Sequence, residues 1–125
     1  MIQINLQQSE QNVLLRSYLD AFNPSDLEVL KSLDPELSVT TLVDGRGLAC
    51  PMPLLKTKVA LRSIQPLQSV YVLATDPNSQ ADLAAFCQQA GLQLTFSTTT
   101  TNESTDSLEK LDTIFHAIIT KTHGN

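Results

Sequence analysis

The chain has 125 residues, enough for one domain with a hydrophobic core of its own. It carries 13 Asp and Glu against 8 Lys and Arg, and the net charge of -5 excludes the basic footprint of a general nucleic-acid binder. The two cysteines, Cys50 and Cys87, are too few for a disulfide-dense scaffold or a four-cysteine zinc site, and no window holds the ~18 apolar residues of a membrane span.

The first eight residues show no basic region followed by an apolar run, so no signal peptide is expected. A cytoplasmic protein with reduced thiols is the expectation. The acidity is concentrated at the front. Residues 1–40 hold six acids (Glu10, Asp20, Asp26, Glu28, Asp34, Glu36) and two bases (Arg16, Lys31).

Val13, Leu15, Leu19 and Phe22 fit one helical stripe behind a cap at Ser9, and Asn23-Pro24 breaks it. Ser25-Asp26-Leu27-Glu28 has the spacing of a capping box, with Leu27, Leu30 and Leu33 behind it, and Asp34-Pro35 ends this second helix. Residues 1–36 are thus expected to be an acidic helical extension that packs on the main domain or covers a sheet edge. A partner-docking element is the alternative.

Residues 37–125 alternate strand and helix. Leu37, Val39, Thr41 and Val43 lie on one face of a first strand. A helix follows from Pro51 to Ile64, with Leu54, Thr57, Leu61 and Ile64 toward a sheet, and Gln65-Pro66 stops it. Ser69 to Thr75 is an apolar, β-branched run and so a second strand. Ser79 caps another helix, with Leu83, Phe86, Cys87 and Ala90 on its apolar face and Gly91 as terminator. Leu92–Ser97 and Ile114–Thr120 read as the last strands, with His116 facing solvent and His123 in the tail. The polar stretch Thr98–Ser107 between them reads as a mobile loop. The predicted fold is α+β: a two-layer α/β sandwich in the order βαβαββ, with a four-stranded mixed sheet and two helices on one face. The helical extension precedes it.

The chemistry points to Asp44-Gly45-Arg46-Gly47-Leu48-Ala49-Cys50-Pro51-Met52-Pro53. The segment leaves a strand and enters a helix. Gly45 and Gly47 permit a tight turn and close backbone approach. Pro51 at the first helical position and Pro53 within the first turn stiffen the junction, where missing N–H groups cost nothing. Cys50 is placed at the helix mouth, whose partial positive charge favours a thiolate. Asp44 is expected to order the turn through backbone hydrogen bonds. Lys56, Lys58 and Arg62 follow on the same helix and could attract an acidic partner or anionic substrate. No Cys or His pair has metal-ligand spacing, and no cofactor-binding loop is present, so neither metal nor cofactor is expected.

Residues Asp44 to Pro53, continued by Leu54-Leu55-Lys56-Thr57-Lys58, resemble the signature of the TusA/SirA-like sulfur-carrier family, whose members carry Cys-Pro-x-Pro at the start of the first helix. Asp76-Pro77-Asn78-Ser79 with Asp82 to Cys87 is similar to the family's second-helix segment. Leu67 departs from the pattern, because the family often has Gly after the helix-ending Pro. The resemblance implies a two-layer α/β fold and a persulfide relay. A donor protein, a cysteine desulfurase or a rhodanese-like protein, would present sulfane sulfur to Cys50, and an acceptor protein would collect it for tRNA thiolation, cofactor assembly or sulfur metabolism. Two other readings stay open: a non-catalytic regulatory or adaptor module on the same fold, and a thiol switch between Cys50 and Cys87, which would need their Cα atoms within about 7 Å.

Overall fold

The computed structural model describes residues 3–6, 8–49, 51–102 and 112–122. The elements in chain order are β1 (Gln3–Ile4), α1 (Ser9–Asp20), α2 (Pro24–Ser32), β2 (Ser38–Gly45), α3 (Met52–Arg62), β3 (Gln68–Ala74), α4 (Ser79–Ala90), β4 (Gln93–Asn102) and β5 (Asp112–Thr120). They form an α+β fold around a mixed five-stranded sheet of order β1-β2-β3-β5-β4. β1, β2 and β3 run parallel, while β5 pairs antiparallel with both β3 and β4.

Residues 37–122 supply the expected βαβαββ order. The sheet has five strands instead of the expected four, the extra one being β1 from the extension, whose two expected helices are α1 and α2. The Gln3 N–H donates to the Leu37 carbonyl at 3.0 Å and the Asn5 N–H to the Val39 carbonyl at 2.8 Å, so β1 extends the sheet. On one face, α3 and α4 pack Leu61, Leu83 and Cys87 against Val43, Val70, Val72, Ala117 and Ile119. On the other, α1 and α2 bring Leu15, Leu19, Phe22 and Leu30 against Val39, Leu42, Tyr71, Leu73, Phe96 and Ile118. The sheet and the α3–α4 layer make up a two-layer unit, and the extension adds a third layer on its other face. The physical reason lies in β3, which is buried from Ser69 to Ala74 without alternation. A strand apolar on both faces needs both faces covered.

Two register shifts set which side chains enter which layer. The one between Val39 and Thr41 rotates β2, so that Val39 and Leu42 share the extension side and Val43 faces α3. This corrects the single face expected for Val39, Thr41 and Val43. The other, between Leu94 and Phe96, sends Leu94 toward α4 and Phe96 toward α2. β4 also runs five residues beyond Ser97. Thr98–Thr101 pair with His116–Thr113 rather than forming a loop, as suits β-branched residues. The rest of the expected loop, 103–107, lies outside the described residues.

Helix ends differ in detail. α2 is capped by Asn23, whose Oδ1 accepts from the Asp26 N–H at 2.8 Å, with Pro24 in its first turn; the Ser25 capping box does not form. Gln8, not Ser9, precedes α1, and Asn78, not Ser79, precedes α4. Val13 projects outward at 71% exposure, and Leu14 joins the core instead. Ala90 is exposed, so the α4 core face ends at Cys87. Gly91 closes α4 at φ 71°, in the left-handed region, as its position predicts. Among the described residues no helix is long and apolar enough to cross a membrane.

Candidate functional site at the β2–α3 junction

Cys50 lies outside the described residues, so the site is defined by the residues that frame it. β2 delivers Asp44 and Gly45 to the end of the sheet beside Leu73 and Ala74 of β3. Asp44 then organises the turn. Its Oδ1 accepts from the Arg46 backbone N–H at 3.2 Å and from Arg46 Nε at 2.8 Å, and its Oδ2 accepts from Arg46 Nη2 at 2.7 Å. This two-pronged pair, led by the side-chain hydrogen bond, holds the Asp44 carboxyl below the usual carboxylate range. Asp44 thus joins the backbone and the side chain of Arg46 across the turn.

Arg46 also reaches the extension. Its Nη1 donates to the Tyr18 hydroxyl at 2.7 Å, and its guanidinium carbon stands 5.7 Å from the Tyr18 ring centroid. α1 is therefore tied directly to the loop that precedes the cysteine. Nothing in the loop's own sequence foretold this partner.

The two glycines act differently. A Cβ on Gly45 would lie 2.9 Å from the Leu73 carbonyl oxygen and 3.0 Å from Pro53 Cβ, so only glycine lets the second proline of Cys-Pro-x-Pro close over the strand end. Gly47 adopts φ 76°, and its N–H donates to Thr75 Oγ1 at 2.9 Å. Pro53 is buried, and its carbonyl accepts from the buried Thr57 hydroxyl at 2.8 Å. The helix starts one residue later than expected. Pro51, at φ -99° and ψ 18°, precedes it as cap, and Pro53 sits in the first turn. The Met52 N–H donates to the Ala49 carbonyl at 2.9 Å and the Leu55 N–H to the Pro51 carbonyl at 3.0 Å. Ala49 and Pro51 are both exposed.

The three cations of α3 do not gather at this loop. Lys56 does lie on its side, and its charge helps to lower the Asp44 carboxyl. It shares an open groove of about 510 Å³ with Asp44 and the exposed Met52, Leu55 and Val59. β1 covers only Ser38 and Val39, so this groove runs along an edge of β2 with no strand partner among the described residues. Lys58 instead places Nζ 5.2 Å from the Phe86 ring centroid on α4. Arg62 ends α3, about 15 Å from Met52 at 1.5 Å per residue. Cys87 is 3% exposed in the α3–α4 core, and burial pushes its thiol up to about 11. It packs as a small core residue.

His116 corrects a second expectation. It is 1% exposed, not solvent-facing. Its Nδ1 lies 2.8 Å from the Tyr71 hydroxyl and its Nε2 2.8 Å from Thr100 Oγ1. Tyr18 and Phe22 pack edge-on to the ring, with centroids at 5.4 and 5.1 Å. Burial lowers the imidazole to about 4. Alternation along β5 could not reveal this, because the extension covers the face that alternation assigned to water. His123 lies outside the described residues.

Comparison with known proteins bears on the same segment. The sequence profile of a family described as sulfurtransferase TusA matches residues 41–105, just over half of the chain. The sulfur carrier protein TusA of Allochromatium vinosum is 42% identical over 52 residues, which cover 42% of this chain and 68% of that protein. NMA0882 of Neisseria meningitidis serogroup A is 45% identical over 49 residues, covering 39% of this chain and 66% of its own. YrkF of Bacillus subtilis is 38% identical over 55 residues, or 44% of this chain but only 30% of YrkF.

Proposed function

Because this chain belongs to the TusA sulfurtransferase family, we propose that it is a sulfur carrier whose working group is Cys50. The observation that carries the reading is the stiff frame on both sides of position 50. Asp44 and Arg46 lock the incoming loop, Gly45 and Pro53 close the outgoing helix over β2, and Ala49 and Pro51 stay open to solvent. A thiolate at the start of α3 would also gain from the helix dipole, by ~0.3–1 kcal/mol. Such a frame suits a group that must meet two different proteins in one geometry.

The Cys50 thiolate attacks the terminal sulfur of a donor persulfide. A bond forms from Cys50 Sγ to that sulfur, the donor's S–S bond breaks, and the donor leaves as a thiolate. An acceptor thiolate later attacks the outer sulfur and Cys50 returns as the leaving thiolate. Neither step needs an outside oxidant or reductant. The donor fits a cysteine desulfurase or a rhodanese-like protein acting in the cytoplasm, and the acceptor serves tRNA thiolation, cofactor assembly or sulfur metabolism. Both partners are assigned to the groove of Met52, Leu55, Lys56 and Val59 beside the loop, in which exposed apolar side chains flank one cation. In this reading residues 37–125 are the carrier unit and residues 1–36 its brace.

The test is incubation with a cysteine desulfurase, a rhodanese-like donor and their sulfur sources, read by intact mass. Wild type gains one sulfur atom and Cys50→Ser gains none. Equal labelling of the two proteins would overturn the reading.

A further inference from the structure

We propose that the cleft between the C-terminal ends of α3 and α4 is a binding site for a small organic anion with an apolar body. The cleft holds about 380 Å³, within the size of small-molecule sites. Three of the chain's eight Lys and Arg side chains line it: Lys58, Arg62 and Lys121. No carboxylate lines it among the described residues, although the chain as a whole is acidic. Leu61, Phe86 and Leu92 supply apolar wall.

Lys121 gives the site its fixed part. β5 ends at Thr120, and the next residue is pinned by its backbone. The Lys121 N–H donates to the Gln68 carbonyl at 3.0 Å, and its own carbonyl accepts from the Leu67 N–H at 2.7 Å. The side chain, 7% exposed, runs beneath the end of α3, where Nζ donates to the Leu61 and Ile64 carbonyls at 3.2 and 3.1 Å. The Leu61 carbonyl belongs to the last turn of α3, at the negative end of its dipole, the Ile64 carbonyl lies just past the cap, and both offset part of a buried charge. An ammonium has three donors, and the two carbonyls use two of them.

Around this anchor stand two cations with no carboxylate partner among the described residues. Lys58 rests over the Phe86 ring, and Arg62 closes α3. A concave, partly apolar surface with three cations concentrates positive potential. A ligand that fits has a flat apolar body for the Phe86 wall and a carboxylate head for Arg62 and Lys58. The cleft is at the opposite end of α3 from the cysteine loop, so this inference stands apart from the sulfur-carrier reading.

The test titrates the ¹⁵N-labelled full chain with 1-naphthoate and with its neutral isostere 1-naphthamide, following backbone amide shifts. Saturable shifts are expected at Gly91, Leu92 and Thr122, with naphthoate bound at least about tenfold more tightly than naphthamide. Arg62→Gln and Lys58→Gln, at positions outside the core, should each weaken naphthoate by about tenfold and leave naphthamide unchanged. A tenfold loss corresponds to about 1.4 kcal/mol. Equal binding of the two probes, naphthoate affinity indifferent to both substitutions, or no saturation at these amides would overturn the proposal.

Discussion

Leu67 shows how one side chain can be wrong for its backbone. It has φ 70°, the left-handed region that disfavours a Cβ by roughly 1–2 kcal/mol, while its side chain is 51% exposed and loses little if removed. The turn keeps its shape because the Leu67 N–H is held by the Lys121 carbonyl and the Gln68 N–H by the Gln65 carbonyl. Leu67→Gly should therefore stabilise the protein by about 0.5–1 kcal/mol after glycine's extra chain entropy, read as a higher midpoint in urea unfolding. Gly45 is the opposite case. Gly45→Ala drives a Cβ into the Leu73 carbonyl and Pro53, and should cost about 1–3 kcal/mol and slow sulfur loading at Cys50. His116 provides a pH signature. Its folded value of about 4 lies below the ordinary 6.5, so between these values the unfolded chain binds the extra proton. Its neutral form is fully in place above pH 6.5, and stability falls by roughly 3 kcal/mol as pH drops toward 4. Urea unfolding at pH 7 and 4.5 should show that loss in wild type and a much smaller difference in His116→Gln. Asp44, held low by Arg46, loses its contribution only below the usual carboxylate range, outside this window. Within Asp44–Pro53, the turn at Gly45 and Gly47 and the carboxylate of Asp44 had a local backbone meaning, whereas Pro51 stands one place before α3 and the Tyr18 partner of Arg46 comes from α1. The buried state of His116 was not legible in the sequence, because it depends on a helix nearly a hundred residues earlier.

At the scale of elements, the extension decides the architecture. Its amphipathic stripes announced two helices, and Leu15, Leu19 and Leu30 are indeed buried. What they cover could not be read locally. β1 is two residues long, its partner lies more than thirty residues on, and its pattern is too short to carry a period. The two bulges were equally invisible, for a one-residue shift leaves no mark in composition while exchanging faces. The threonines after Ser97 read as a loop because they are polar, yet their β-branching and pairing with β5 make them strand. Removing residues 1–36 would uncover Tyr71, Leu73, Phe96 and Ile118 and break the Tyr18–Arg46 contact. The truncated chain should bind a hydrophobic dye and lose its sharp thermal transition, whereas a leader that served only as a docking arm would leave the melt unchanged.

Across the whole molecule, charge and chemistry divide by location. Five of the six acids of the extension are exposed, and the sixth, Asp26, accepts from the Thr98 hydroxyl of β4 at 2.8 Å, while Lys58, Arg62 and Lys121 meet in a cleft at one end of the opposite layer. The Asp44–Ala49 turn lies at the other end of α3, beside an edge of β2 with no strand partner among the described residues. Cys87, enclosed between α3 and α4 with its thiol pushed up to about 11, is a poor attacking group, so sulfur should reside at one position only. The sequence permits a direct assignment. Trypsin cuts after Arg46 and Lys56, releasing Gly47–Lys56 with Cys50 as its sole cysteine, while Cys87 falls in a separate peptide. The measurement is the mass of both peptides after loading by a sulfur donor and alkylation. One additional sulfur is expected on Gly47–Lys56 and none on the peptide bearing Cys87. Sulfur on the Cys87 peptide, or none on Gly47–Lys56 when the donor loads a known carrier in parallel, would contradict it.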